Sequence, residues 1–165
     1  MAEGRLRAAR VLEAVKGLGF THIVWLPDSE TGLMHRALQG ERSVTLVPVC
    51  REGEAVAIAA GLWVGGKRPL VMMQSTGFFE AGDSIRGLAL DVRLPLVLLV
   101  GYRGYRGDGP SSDSAAVHLE PLLRAWSIPY YLLERDSEVE RIAMAHRDAE
   151  ATARPVAILI CREYQ

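Results

Sequence analysis

A chain of 165 residues suits one compact domain, and a 49% hydrophobic content is enough to build a substantial core, which excludes a disordered chain. Lysine and arginine number 19 against 20 acidic residues, and the resulting net charge of −1 provides no global field for nucleic acid or an anionic membrane. No apolar run approaches the roughly 18 residues of a membrane span. The N-terminal residues mix charges into a helical pattern and lack the apolar stretch of a signal peptide. Cys50 and Cys161 lie far apart in apolar surroundings and read as two buried thiols of a reducing compartment rather than a disulfide. A cytoplasmic protein with one domain over residues 1–165 is expected.

Helix and strand patterns alternate along the chain. Residues 5–17 place Leu6, Ala9, Leu12 and Val15 on one side of a helix. Residues 21–27, THIVWLP, form a short apolar strand. Asp28 or Ser29 caps a helix through Leu38, which Gly40 stops. Residues 44–49 are a second strand, and 52–64 are an Ala-rich helix stopped by Gly65 and Gly66. The third strand is 69–74, PLVMMQ, followed by a helix over 80–90. The fourth, 94–101, runs into a polar, Gly-rich loop over 102–113. Helix 114–126, strand 128–133, helix 137–152 and strand 155–161 complete the chain.

Short, continuous apolar strands are covered on both faces. Their alternation with helices implies βαβ units. The expected fold is therefore a three-layer αβα sandwich around a six-stranded, mostly parallel sheet. In such sheets sites form beyond the carboxyl ends of the strands. Four segments lie there: Pro27-Asp28-Ser29, Arg51-Glu52, Gln74-Ser75-Thr76-Gly77, and Gly101-Tyr102-Arg103-Gly104.

Glu52 and Glu54 open the Ala-rich helix, where unpaired N–H groups and the helix dipole favour a carboxylate. That reading suffices for both, but Glu52 directly follows a buried-type strand at the ligand-binding edge. Gly107-Asp108-Gly109 does not follow an apolar strand and reads as surface loop. No phosphate loop of the G-x-x-x-x-G-K-[ST] or G-x-G-x-x-G kind occurs. His22, His35, His118 and His146 lack metal-ligand spacing, so no metal site is expected. Ser75 sits outside any nucleophile elbow. Arg103, beside a strand end, is the better anion-binding candidate of the two loop arginines Arg103 and Arg106.

A strand followed by C-x-E-x-x-A-x-x-x-A-x-G, here Cys50, Glu52, Ala55, Ala59 and Gly61, resembles the pyrimidine-binding (PYR) domain of thiamine diphosphate enzymes. LPDSETGL from Leu26, EGEAVAIAAG from Glu52, MQSTG from Met73, GYRG from Gly101 and EPLLRAWSIPY from Glu120 are similar to decarboxylases of 3-sulfopyruvate and phosphonopyruvate. The motifs keep their order over nearly the whole chain, and its length resembles the separate alpha subunit of the sulfopyruvate enzymes.

The resemblance implies the thiamine diphosphate-binding fold of PYR type. Glu52 would hydrogen-bond N1′ of the cofactor's aminopyrimidine and so help activate the thiazolium for attack on a 2-oxo acid. Pro27, Ser75 and Gly77 would line the pyrimidine pocket. Asp28, Ser29, Gln74 and Arg103 would face the substrate, the Arg103 guanidinium suiting a sulfonate, phosphonate or carboxylate. Glu54 has no such counterpart. In the family a second domain (PP) holds the cofactor's diphosphate and its magnesium through G-D-G and a downstream asparagine. This chain contains no asparagine. The resemblance therefore implies the pyrimidine half of a thiamine diphosphate site, a PP-domain (beta) subunit as partner carrying the Mg2+, and an oligomer inactive as separate chains.

Where relatives have G-L-G-N after the third strand, this chain has Gly77-Phe78-Phe79-Glu80. Two aromatics and a carboxylate there are expected to reshape the pocket and repel an anionic substrate. A non-catalytic PYR-like domain with a structural or regulatory role is the alternative reading, and a small flavodoxin-like binding domain a distant third.

Overall fold

The computed structural model describes residues 5–28, 32–107, 109 and 111–164. Six strands, β1 (His22–Trp25), β2 (Thr45–Pro48), β3 (Pro69–Gln74), β4 (Val97–Gly101), β5 (Tyr130–Leu133) and β6 (Val156–Ile160), form one sheet in the order β2-β1-β3-β4-β6-β5. Every pairing between them is parallel, which sharpens the expected "mostly parallel" sheet.

The helices are α1 (Ala8–Gly17), α2 (Gly32–Leu38), α3 (Glu52–Val64), α4 (Ser75–Glu80), α5 (Gly82–Ser84), α6 (Ser114–Ala125) and α7 (Arg141–Thr152). A π-helical segment, Ile85–Asp91, continues α5. Crossovers between parallel strands are right-handed, so the direction of each step across the sheet decides which face its helix covers. The steps β1 to β2 and β5 to β6 run one way, and their helices α2 and α7 share a face with α1. The other three steps run the opposite way and place α3, α4 with its continuation, and α6 on the second face.

The core divides accordingly. Val97 and Leu99 of β4 pack with Val11, Met34 and Ile142, whereas Leu98 and Val100 pack with Val56, Phe78 and Leu119. Alternate residues of a strand point to opposite faces, and both faces here are covered. All five residues of β4 and all five of β6 are buried.

The structure departs from the sequence reading after β3. The Gln74-Ser75-Thr76-Gly77 segment, expected as a loop, is helical from Ser75 onward. Ser, Thr and Gly are turn formers by local preference, and a glycine inside a helix costs about 0.5–1 kcal/mol relative to alanine. Tertiary contacts override that preference. Phe78 is fully buried and stacks on Trp126, ring centroids 6.1 Å apart. The expected helix 5–17 begins at Ala8, because Arg5 leaves the helix to bridge Arg135. Helix α2 is described from Gly32, and Ser29, one of its two expected caps, lies outside the described residues.

The cysteine reading is corrected in half. Cys161 is buried, but Cys50 is exposed, because it stands beyond the end of β2 where the chain turns into α3.

Candidate functional site

Sequential steps leave β1 and β3 in opposite directions, and a crevice forms outside such a switch point. Helix α3 crosses this region as it carries the chain from β2 to β3. Its first residue, Glu52, is partly buried at the carboxyl edge of the sheet. Its carboxyl end lies directly over Gly77 of α4. A Cβ built at Gly77 would stand 2.5 Å from Cδ of Glu52 and closer still to Oε1 and Cγ. Only glycine leaves room for this carboxylate, so the helix-weakening residue in α4 is explained by the side chain resting on it.

The neighbouring acids have other partners. Glu54 turns back, and its Oε2 accepts from the Cys50 N–H at 3.2 Å, the use expected of an acid in a first helical turn. Glu80 closes the same helix end from the α4 side. Its Oε2 accepts from the Gly53 N–H at 2.8 Å, and its Oε1 accepts from Nε and Nη2 of Arg51 at 3.0 and 2.7 Å. The Gly53 N–H, and next the Arg51 guanidinium, hold the Glu80 carboxyl below its ordinary value. The expectation that Phe78-Phe79-Glu80 reshapes the pocket with a repelling charge gives way to this arrangement. Phe78 belongs to the core, and Glu80 is spent on the α3 terminus and Arg51.

Ser75 is the first residue of α4 and is fully buried, with no hydrogen-bond partner for its Oγ among the described residues. A buried hydroxyl without a partner is uncommon and calls for a ligand, a partner chain or water. Its neighbour Gln74 ends β3, and its Oε1 accepts from the Thr76 hydroxyl at 2.8 Å. Pro27 is exposed and Asp28 half-buried beyond β1, whereas Ser29 lies outside the described residues. A carboxyl seated on a glycine cradle and, at the start of α4, a buried hydroxyl without a partner among the described residues are polar groups that can hold a ligand at this edge.

Arg103 follows β4 and is exposed. Its Nε meets Oδ2 of Asp113 at 3.0 Å, and Asp113 also caps α6 by accepting from the Ala115 N–H at 2.9 Å. Gly104 has φ +79°, and a Cβ there would stand 2.5 Å from the Asp113 Cβ, so the turn after Arg103 requires glycine. The register pairs Gln74 with Gly101, which sets the Arg103 loop beside the start of α4. Asp108, in the Gly107-Asp108-Gly109 run, lies outside the described residues.

A cavity of about 460 Å³ opens beyond β4 and β6, lined among others by Arg5, Tyr102, Arg103, Arg162 and Tyr164. Its walls are braced by tyrosines: Tyr102 OH donates to Glu120 at 3.0 Å and Tyr105 OH donates to Glu134 at 3.2 Å. Burial pushes the Tyr102 and Tyr164 hydroxyls above their ordinary values. Sequence reasoning named Arg103 here and missed Arg5, Arg162 and Tyr164, because no local pattern announces that segments so far apart in sequence line one cavity. His118, one of the four histidines without metal-ligand spacing, is exposed on α6. No group of three or more His, Cys, Asp or Glu side chains placed to hold a metal occurs among the described residues, and no helix there is long and apolar enough to cross a membrane.

Residues 7–126 match the family described as thiamine pyrophosphate enzyme, N-terminal TPP binding domain. A phosphonopyruvate decarboxylase of Streptomyces hygroscopicus is 32% identical over 104 residues, 62% of this chain and 26% of that protein. A sulfopyruvate decarboxylase subunit alpha of Methanococcus maripaludis is 23% identical over 155 residues, 91% of each chain. Another, of Methanocaldococcus jannaschii, is 24% identical over 133 residues, 80% of this chain and 79% of that one. The chain thus spans about a quarter of the phosphonopyruvate enzyme and most of the alpha subunits. The family match takes in Glu52, Gly77 and Arg103 together with β1 to β4, four of the six strands of the sheet. The chain belongs to the thiamine pyrophosphate enzymes and carries their N-terminal TPP-binding domain.

Proposed function

We propose that this chain is the PYR-domain (alpha) subunit of a thiamine diphosphate-dependent decarboxylase. Its substrate is a 2-oxo acid with a second anionic group, sulfopyruvate or phosphonopyruvate. A separate PP-domain (beta) subunit supplies the diphosphate and magnesium half of the site, and neither chain acts alone. The observation that carries this reading is the Glu52 carboxyl seated on Gly77 at the carboxyl edge of the sheet. The subunit names of relatives of the same length support the partner.

When bound, the cofactor supplies a carbon nucleophile for the 2-oxo group and holds the electrons left as carbon dioxide departs. Glu52 shares a proton with N1′ of the aminopyrimidine. Gly77 keeps the space over which that carboxyl lies, and Ser75 offers a hydroxyl with no partner among the described residues. Pro27 completes the pyrimidine wall. Asp28 and Gln74 face the substrate, and Arg103 receives its second anionic group at the cavity it shares with Arg5 and Arg162. The Phe78-Phe79-Glu80 segment, the main support for a non-catalytic domain, has a packing explanation that leaves Glu52 in place.

Co-expression with the candidate partner, followed by carbon dioxide release from sulfopyruvate, phosphonopyruvate and pyruvate, tests the proposal. Glu52→Gln is expected to abolish turnover with assembly intact. Undiminished turnover by that variant would overturn the assignment.

A further inference from the structure

Helix α4 meets the first turn of α3 through two residues three apart, Gly77 and Glu80, which share one face of a helix. Gly77 receives the Glu52 side chain, and Glu80 receives the N–H of Gly53, the very next residue. The fit is reciprocal. A Cβ built at Gly53 would stand 3.3 Å from Ser84 Oγ, 3.4 Å from Glu80 Oε2 and 3.8 Å from Ala81 Cα. Each helix therefore presents a glycine to the other's carboxylate: Gly77 lies under Glu52, and Gly53 lies against Glu80. Arg51 ties the outside of the joint by donating Nε and Nη2 to Glu80 Oε1.

We propose that Glu80 is a positioning residue for Glu52, holding the backbone at Gly53 so that the Glu52 carboxyl stays over Gly77. The inference rests on the reading of Glu52 given above. In this role Glu80 acts through the backbone of α3 and not on the cofactor or the substrate. It acts by fixing the Gly53 N–H at a helix end whose first N–H groups have no partner within the helix. The six-residue α4 is thereby a clamp: its third residue makes room for the working carboxyl, and its last residue anchors the turn that carries it. A cap that served stability alone would leave the Glu52 side chain indifferent to its loss.

The test has one readout on the chain itself and one on the assembled enzyme. In the chain alone, the Glu52 side-chain carboxyl is followed by carbon-13 NMR and the Gly53 amide by hydrogen exchange. Glu80→Ala is expected to move the Glu52 signal and to speed Gly53 exchange at least about tenfold. Glu80→Gln, whose amide oxygen still accepts from the Gly53 N–H although its amide nitrogen gives up the Arg51 ion pair, leaves both near their original values. In the complex with the PP-domain chain, Glu80→Ala lowers kcat about 10- to 100-fold with KM for the 2-oxo acid nearly unchanged, and Glu80→Gln restores most of it.

A Glu52 signal unmoved by Glu80→Ala, with only the melting temperature lowered, overturns the inference, as does a Gln variant as impaired as the Ala variant. If Glu52→Gln turns over like the unmodified complex, the reading of Glu52 falls and this one with it. If Glu52→Gln is inactive while Glu80→Ala keeps its kcat, only the positioning role falls.

Discussion

The Glu52 side chain rests on the bare Cα of Gly77, so two residues 25 positions apart, at the starts of different helices, occupy one another's space. This contact joins the loop after β2 to the helix after β3 and makes a site out of two otherwise ordinary strand ends.

Gly77→Ala separates stability from function. The added methyl contributes about 0.5–1 kcal/mol of helix propensity but overlaps Glu52, and such overpacking costs about 1–3 kcal/mol unless the side chain moves. The carboxyl is the freer of the two and gives way. Cofactor affinity and turnover of the assembled enzyme are expected to fall at least about tenfold, with a small change in melting temperature. Cofactor titration beside a thermal melt checks this, and wild-type affinity would show that the contact is incidental.

Phe78 and Phe79 should separate cleanly. Phe78 is fully buried among α3, α6 and the sheet, so Phe78→Ala should cost about 3–5 kcal/mol. Phe79 is 36% exposed, and Phe79→Ala should cost about 1 kcal/mol. Urea denaturation of the two variants decides the matter, and equal losses would contradict the burial assigned to them.

Glu41 governs part of the acid response. Its Oε2 accepts from Lys16 Nζ at 2.6 Å, and its Oε1 accepts from the N–H and hydroxyl of Ser43 at 2.8 and 2.7 Å. The Lys16 bond, then those from Ser43, bring the carboxyl from 4.5 down to about 2. A folded value below the unfolded one gives stability that is full above 4.5 and lost as the pH falls towards 2. Glu41→Gln should therefore flatten the melting temperature against pH within that window and leave the slope above it unchanged. An unaltered acid limb would refute the assignment.

The two thiols differ in reach. Cys50 is exposed, whereas burial pushes the Cys161 thiol up to about 12. A thiol reagent at neutral pH should label Cys50 promptly in the native chain and Cys161 only after denaturant is added. Mass spectrometry of the labelled peptides reads the result, and prompt labelling of Cys161 would contradict its burial.

The sequence by itself determined the layers. Apolar runs such as PLVMMQ and VAILI sit where strands formed, and the Ala-rich run from Glu52 to Val64 is a helix with both ends as read. It also placed Glu52 at a strand-to-helix junction, because period and position along the chain are local properties. The order β2-β1-β3-β4-β6-β5 is not local, since it depends on which parallel neighbours bury each strand's two faces.

The same limit explains the misreadings. Ser75, Thr76 and Gly77 have the composition of a loop, and only the packing of Phe78 and Glu52 makes them helical. Glu80 is an acid of no particular motif until the fold sets it against Gly53 and Arg51. Cys50 has the apolar neighbours of a core residue, yet the strand ends just before it and exposes it. Local chemistry chose the candidate carboxylate, and contacts between distant segments decided what holds it, because a side chain's partners are set by packing that no short window of sequence contains.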